Sequence, residues 1–125
     1  MIIFYKDIPP LQEKIKPYYM IGTDVSVFSK ISNKFLTQQI TENGYLTVHL
    51  QTEEGDVVRR VHRLEMLTFM YFEGCENFEV NHIDGKKFNN YWYNLEWSTP
   101  KENIRHAINS NLRKSYIGEN NQNVK

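Results

Sequence analysis

The stretch from Glu79 to Ala107, EVNHIDGKKFNNYWYNLEWSTPKENIRHA, constrains the fold of this chain more than any other. Val80 to Ile83 has strand composition, and Asp84-Gly85 is a turn dipeptide that ends it. Lys86 to Tyr93 is a long loop rich in Asn and aromatic residues, and Leu95 to Ser98 is a returning strand. Three signals then agree on a helix start: Thr99 as N-cap, Pro100 at the first helical position, and Glu102 at the reciprocal position of a capping box. The spacing predicts a helix to about Ser110 that buries Ile104, Ala107 and Ile108. The order is strand, turn, strand, helix. Its polar residues Asn81, His82 and Asn103 gather at the end of the first strand and in the first turn of the helix.

Those residue types suit metal-assisted phosphodiester hydrolysis. The reaction needs an activated water and a cation on the scissile phosphate and leaving oxygen. A neutral imidazole is the natural base near pH 7, and magnesium or manganese takes oxygen ligands, amide carbonyls included. Asn81 and His82 are neighbours on a strand and so point to opposite faces, which lets one ligate a metal while the other faces a water. Asn103 comes from a helix first turn, where free N–H groups favour phosphate.

Upstream, Tyr18 to His62 carries the signals of a small antiparallel sheet. Tyr19-Met20-Ile21 and Val25-Ser26-Val27-Phe28 flank a Gly22-Thr23-Asp24 turn, and Asn43-Gly44 is a second turn. Leu46, Val48 and Leu50 then alternate with Tyr45, Thr47 and His49. Glu53 to Asp56 reads as a hairpin loop into a strand from Val57 to His62. Arg63 to Phe72 changes period: Leu64, Leu67, Thr68 and Tyr71 form one helical stripe, widened by Met66, Phe69 and Met70, and Gly74 supplies the C-terminal stop. A helix this apolar is expected between layers, as core and not as a methionine-lined groove.

Composition narrows the class. A chain of 125 residues with eight Tyr, seven Phe and two Trp can build one compact domain, or two small modules on a shared core. No apolar run is long enough to cross a membrane, and the start MIIFYKDIPP lacks the features of a signal peptide. One cysteine, Cys75, excludes an internal disulfide framework and makes a zinc site with His82 and His106 a poor fit. A cytoplasmic protein is expected. Net charge is zero, but residues 100–125 carry five Lys/Arg against two Asp/Glu, so basic character is local. Arg59, Arg60 and Arg63 form one basic group, Lys86 and Lys87 a second, and Arg105 with Arg113 and Lys114 a third. Arg59 and Arg60 are adjacent on a strand, so at most one lies on a given DNA-facing surface unless the strand is at an edge. A solvated face is the bland explanation of any such group.

As a set, VNHIDG, NN, NLEW and KENIRHA resemble the HNH endonuclease motif in its phage and intron-borne homing form, which has a ββα-metal site. Upstream, YYMIGTDVSVFSKISNKFL, NGYLTVHL and VHRLEMLTF look like the strand module that commonly precedes this nuclease. The resemblance covers roughly residues 17–112.

The resemblance implies a role for each matching residue. His82 matches the general base, Asn81 and Asn103 match the two protein ligands of one divalent cation (Mg²⁺ or Mn²⁺), and Asn94 matches the asparagine that spans the loop and orients the base. His106, one helical step beyond Asn103, is placed near phosphate, and Arg59, Arg60, Arg63, Lys86, Lys87 and Arg105 are the candidate DNA contacts. The chain departs from better-known members at Asn81, where Asp is common; the amide keeps an oxygen but loses a charge, so weaker metal affinity is expected. The tail IGENNQNVK resembles the lead-in to a small helical DNA-reading module.

The expected fold is therefore α+β: an antiparallel β module over residues 1–61, a ββα-metal nuclease over 62–112 and a tail over 113–125. The expected activity is metal-dependent hydrolysis of double-stranded DNA, by nicking, in a monomer or weak dimer inside a phage-infected bacterium. The alternative is a DNA-binding module that keeps the fold with little catalysis. His49 and His62 read as structural, and Phe88, Tyr91, Trp92, Tyr93 and Trp97 as core or loop anchors.

Overall fold

A computed structural model describes residues 2–101. Among the described residues, three antiparallel sheets surround one complete α-helix, an α+β arrangement. The first sheet has the order β1 (Tyr5–Asp7), β2 (Tyr19–Gly22), β3 (Val27–Ser29), β4 (Lys34–Phe35). The second joins β5 (Gln39–Ile40), β6 (Leu46–Thr52) and β7 (Gly55–Arg60). Helix α1 (Val61–Phe69) follows β7 without a loop, and the hairpin β8 (Glu79–His82) and β9 (Leu95–Ser98) forms the third sheet.

The core lies where α1 meets the first two sheets. Ile21 and Val27 from the first sheet, Val48 and Leu50 from β6, and Val61 and Leu64 from α1 are buried in one cluster. The alternation along β6 is what sends Val48 and Leu50 inward and leaves His49 exposed. The Asn43-Gly44 turn forms as expected. Gly44 takes a φ of +89°, which few side chains tolerate, and the Thr41 N–H donates to the Tyr45 carbonyl at 2.9 Å to close the turn.

Several boundaries differ from the sequence expectation. Val25 is not in a strand; it sits in the β2–β3 turn with a φ of +64°, where the Asp24 carboxylate accepts from the backbone and hydroxyl of Ser26. His62 belongs to α1, not to the preceding strand, because the chain passes from extended to helical at Arg60. The helix also stops at Phe69, well before Gly74. The indole N–H of Trp97 donates to the Met70 carbonyl at 2.9 Å, and Phe72 packs edge-on against Phe78 and Trp97. That aromatic cluster turns the chain out of the helix, so Tyr71 and Met70 are exposed and not part of a buried stripe. Gly74, with a φ of +90°, instead opens a short 3-10 turn over Cys75–Asn77.

Candidate functional site

The hairpin positions the site. β8 and β9 pair with His82 opposite Leu95 and Asn81 opposite Glu96. Neighbours on one strand face opposite ways, so His82 shares a face with Leu95 and Asn81 shares the other with Glu96. Both Asn81 and Glu96 are half-buried, and neither side chain makes a hydrogen bond or ion pair among the described residues. β9 leads through Thr99 into Pro100 and Lys101, which are already helical. The anticipated helix start is therefore in place, while Asn103, Arg105 and His106 lie outside the described residues.

The loop between the strands is built on Asn94 and Asp84. The Asn94 amide donates to the Asp84 carboxylate at 3.0 Å and to the Asn89 carbonyl at 2.8 Å, and its oxygen accepts from the Asp84 backbone at 3.2 Å. Burial acts to raise the Asp84 pKa, but hydrogen bonds from Asn89, the Lys86 backbone and Asn94 outweigh it and hold the carboxyl below its usual range. Asn94 thus spans the loop, as the resemblance implies. The side chain that touches the imidazole is a different one: Nε2 of His82 lies 2.7 Å from Oδ1 of Asn90, which is fully buried. Sequence reasoning missed Asn90 because it is the second of two adjacent asparagines, and spacing alone does not say which of them turns inward.

Rings crowd the other side of His82. Its centroid is 4.7 Å from that of His62, and His62 stacks at 5.2 Å and 20° on Tyr45. Burial, with the nearby His82, Arg60 and Arg63, pushes the His62 pKa down to about 3, so this imidazole is neutral near pH 7. Lys87 donates to the Asn43 carbonyl at 2.7 Å, tying the loop to the β5–β6 turn.

The basic candidates divide by what already holds them. Arg59 is ion-paired with Glu13 and donates to the Val58 carbonyl. Arg63 donates to the carbonyls of Glu76 and Phe78, each at 2.8 Å. Arg60 and Lys87 both lie against the Tyr45 ring, at 4.1 and 4.8 Å from its centre. Lys86 is exposed at the loop surface. Among the aromatics, Phe88, Trp92 and Tyr93 are exposed and not core, because the loop lies outside the packed layers.

For a divalent cation, the described residues offer the amide oxygen of Asn81 and, across the hairpin, the carboxylate of Glu96. Hard oxygen donors of this kind fit Mg²⁺ or Mn²⁺ better than zinc. No three His, Cys, Asp or Glu side chains gather among the described residues, and Cys75 is buried.

No family profile matches the chain. It is 43% identical over 96 residues to the uncharacterized HNH endonuclease L245 of Acanthamoeba polyphaga mimivirus, covering 76% of this chain and 28% of that protein. It is 34% identical over 95 residues to the DNA endonuclease I-HmuI of Bacillus phage SP01, covering 73% and 52%. A solved structure of I-HmuI, described as DNA binding and cleavage by an HNH homing endonuclease, superposes with a TM-score of 0.73 at 32% identity, over 86% of this chain and 59% of that one. The chain belongs to the HNH endonuclease family. As an HNH chain it spans about a quarter of L245 and about half of I-HmuI. No helix among its described residues is long and apolar enough to cross a membrane.

Proposed function

We propose that this HNH chain hydrolyses phosphodiester bonds of double-stranded DNA with the help of one divalent cation, nicking one strand at a time. The observation that carries the reading is the pairing of His82 with buried Asn90 at 2.7 Å, on a hairpin that runs directly into a helix start. The similarity to I-HmuI supports the choice of substrate.

An amide oxygen only accepts, so Oδ1 of Asn90 holds the proton on Nε2 and leaves the lone pair on Nδ1. Nδ1 of His82 is then the atom that takes a proton from water as the water oxygen attacks phosphorus. The bond to the 3′ oxygen breaks and that oxygen takes a proton from solvent water, leaving a 5′ phosphate and a 3′ hydroxyl. Asn81 and Asn103 would hold Mg²⁺ or Mn²⁺, with Glu96 adding negative charge on the Asn81 face. Such an ion neutralises charge on the scissile phosphate and the leaving oxygen. Asn94 acts by keeping the loop in shape. Among the described residues, Arg60 and Lys87 lie against Tyr45 beside His82 and are the leading candidates for contact with the DNA backbone, with Lys86, Arg59, Arg105 and His106 further candidates, while Arg63 supports the fold. One site per monomer makes nicking the default outcome, and a dimer would be needed for a double-strand cut.

Supercoiled plasmid incubated with the protein and Mn²⁺ tests this. Conversion to open circles should fall by about 10²- to 10⁴-fold in His82→Ala. If the wild-type protein nicks no faster than that variant, the nuclease reading is lost. The neutral Asn81 favours the second reading, a DNA-binding module with little catalysis, in which case DNA is bound and both proteins leave the plasmid intact.

A further inference from the structure

Tyr45 stands at the junction of three segments that are distant in sequence. It closes the β5–β6 turn, stacks on His62 of α1, and lies 6.2 Å from the ring of His82. Arg60, at the end of β7, sits 4.1 Å from its ring centre, and Lys87, from the β8–β9 loop, sits 4.8 Å away. Two full positive charges thus share one ring. No carboxylate among the described residues pairs with either; the ion pairs there are Lys30 with Asp7 and Arg59 with Glu13. The chain as a whole has no net charge, so this concentration is local and not a by-product of a basic protein.

An aromatic face attracts cations and holds them without neutralising them. A ring carrying two cations therefore keeps both available to an anion while fixing where they stand. The Lys87 bond to the Asn43 carbonyl restricts the lysine further, to one side of the turn. By contrast, Arg59 is neutralised by Glu13 and Arg63 is occupied by two carbonyls.

We propose that Tyr45 is the platform of a two-cation phosphate subsite, in which Arg60 and Lys87 bind the DNA backbone beside the bond that is broken with His82 as base. The subsite rests on the nuclease reading for its substrate, DNA, and for its place beside the scissile bond. Tyr45 is a positioning residue that acts through the two cations, and the β5–β6 turn becomes part of the cleavage site and not merely a support for the sheet.

The test is fluorescence anisotropy with a labelled duplex over a salt series, in EDTA so that no cleavage occurs. Arg60→Gln and Lys87→Gln should each reduce the slope of log affinity against log salt by about one. Tyr45→Leu changes no charge, yet should weaken binding about as much as losing one cation, whereas Tyr45→Phe should bind as wild type. Circular dichroism checks that each variant is folded; if Tyr45→Leu is not, the two charge variants and Tyr45→Phe decide. Unchanged slopes in Arg60→Gln and Lys87→Gln, or wild-type binding by folded Tyr45→Leu, overturn the proposal. Plasmid nicking, measured separately, distinguishes this from failure of the nuclease reading: altered slopes without nicking leave the subsite standing.

Discussion

Asn90 is the fully buried partner of His82, and its own amide nitrogen has no hydrogen-bond partner among the described residues. Burying an amide with half its capacity unused costs free energy, so the one bond it makes, 2.7 Å to the imidazole, has to hold it in place. A proton acceptor works only when its lone pair points at the proton it takes, and a misplacement of about 1 Å can cost on the order of a hundredfold in rate. Asn90→Ala removes the acceptor and leaves Nε2 and Nδ1 free to exchange roles. Single-turnover nicking should then slow by about a hundredfold while duplex affinity stays unchanged. Asn90→Asp retains an oxygen facing Nε2 and should recover much of the rate. Equal rates in wild type and folded Asn90→Ala would show that the contact does not position the base.

Between elements, the guanidinium of Arg63 is the joint that holds α1 to the hairpin. It donates to two carbonyls in the segment entering β8, and its carbon lies 5.8 Å from the Trp97 ring on β9. A planar fork can satisfy two carbonyls and a ring face together, which an ammonium cannot. Hydrogen bonds from charged donors contribute about 1.5–3 kcal/mol each, and the partial exposure of Arg63 trims that, so Arg63→Lys should cost about 2 kcal/mol in urea unfolding. A loss below about 0.5 kcal/mol would mean that the fork is incidental. This joint also shows where legibility ends. The β8–β9 hairpin is readable because Asp84-Gly85 and the pattern from Leu95 to Ser98 are local signals. The end of α1 is not, because Phe72, Phe78 and Trp97 set it through contacts across the chain, and Gly74 is free to serve a later turn. The likeness to a known motif points to His82 and Asn94 as candidates, but the inward turn of Asn90 and the stack on His62 depend on packing that no spacing rule encodes.

Across the molecule, α1 carries two buried titratable groups three residues apart with opposed pH behaviour. Burial, with Asp24 nearby, pushes the Glu65 pKa up to about 8, and neither carboxyl oxygen has a hydrogen-bond partner among the described residues. His62 is pushed down to about 3. Below pH 4.5 Glu65 is protonated in both states, so only His62 matters: the unfolded chain binds a proton that the folded one refuses, and stability falls as pH drops toward 3. Between pH 4.5 and 6.5 the folded protein keeps a proton on Glu65 and lacks one on His62, so the two effects cancel. Above pH 6.5 only Glu65 matters, and stability falls as pH rises toward 8. At about 1.4 kcal/mol per pH unit for one proton, each limb amounts to about 2 kcal/mol. Asp84, held below its usual range, loses its own stabilisation in acid and adds to the low-pH limb. Urea unfolding from pH 3 to 9 should therefore show a plateau flanked by two falling limbs. Glu65→Gln removes the alkaline limb and the cancellation with it, so the acid limb should extend up to pH 6.5. His62→Phe does the reverse: the acid limb should shrink and the alkaline one start from pH 4.5. Parallel profiles for wild type and Glu65→Gln between pH 6.5 and 8 would refute the assignment of that limb to the buried carboxyl.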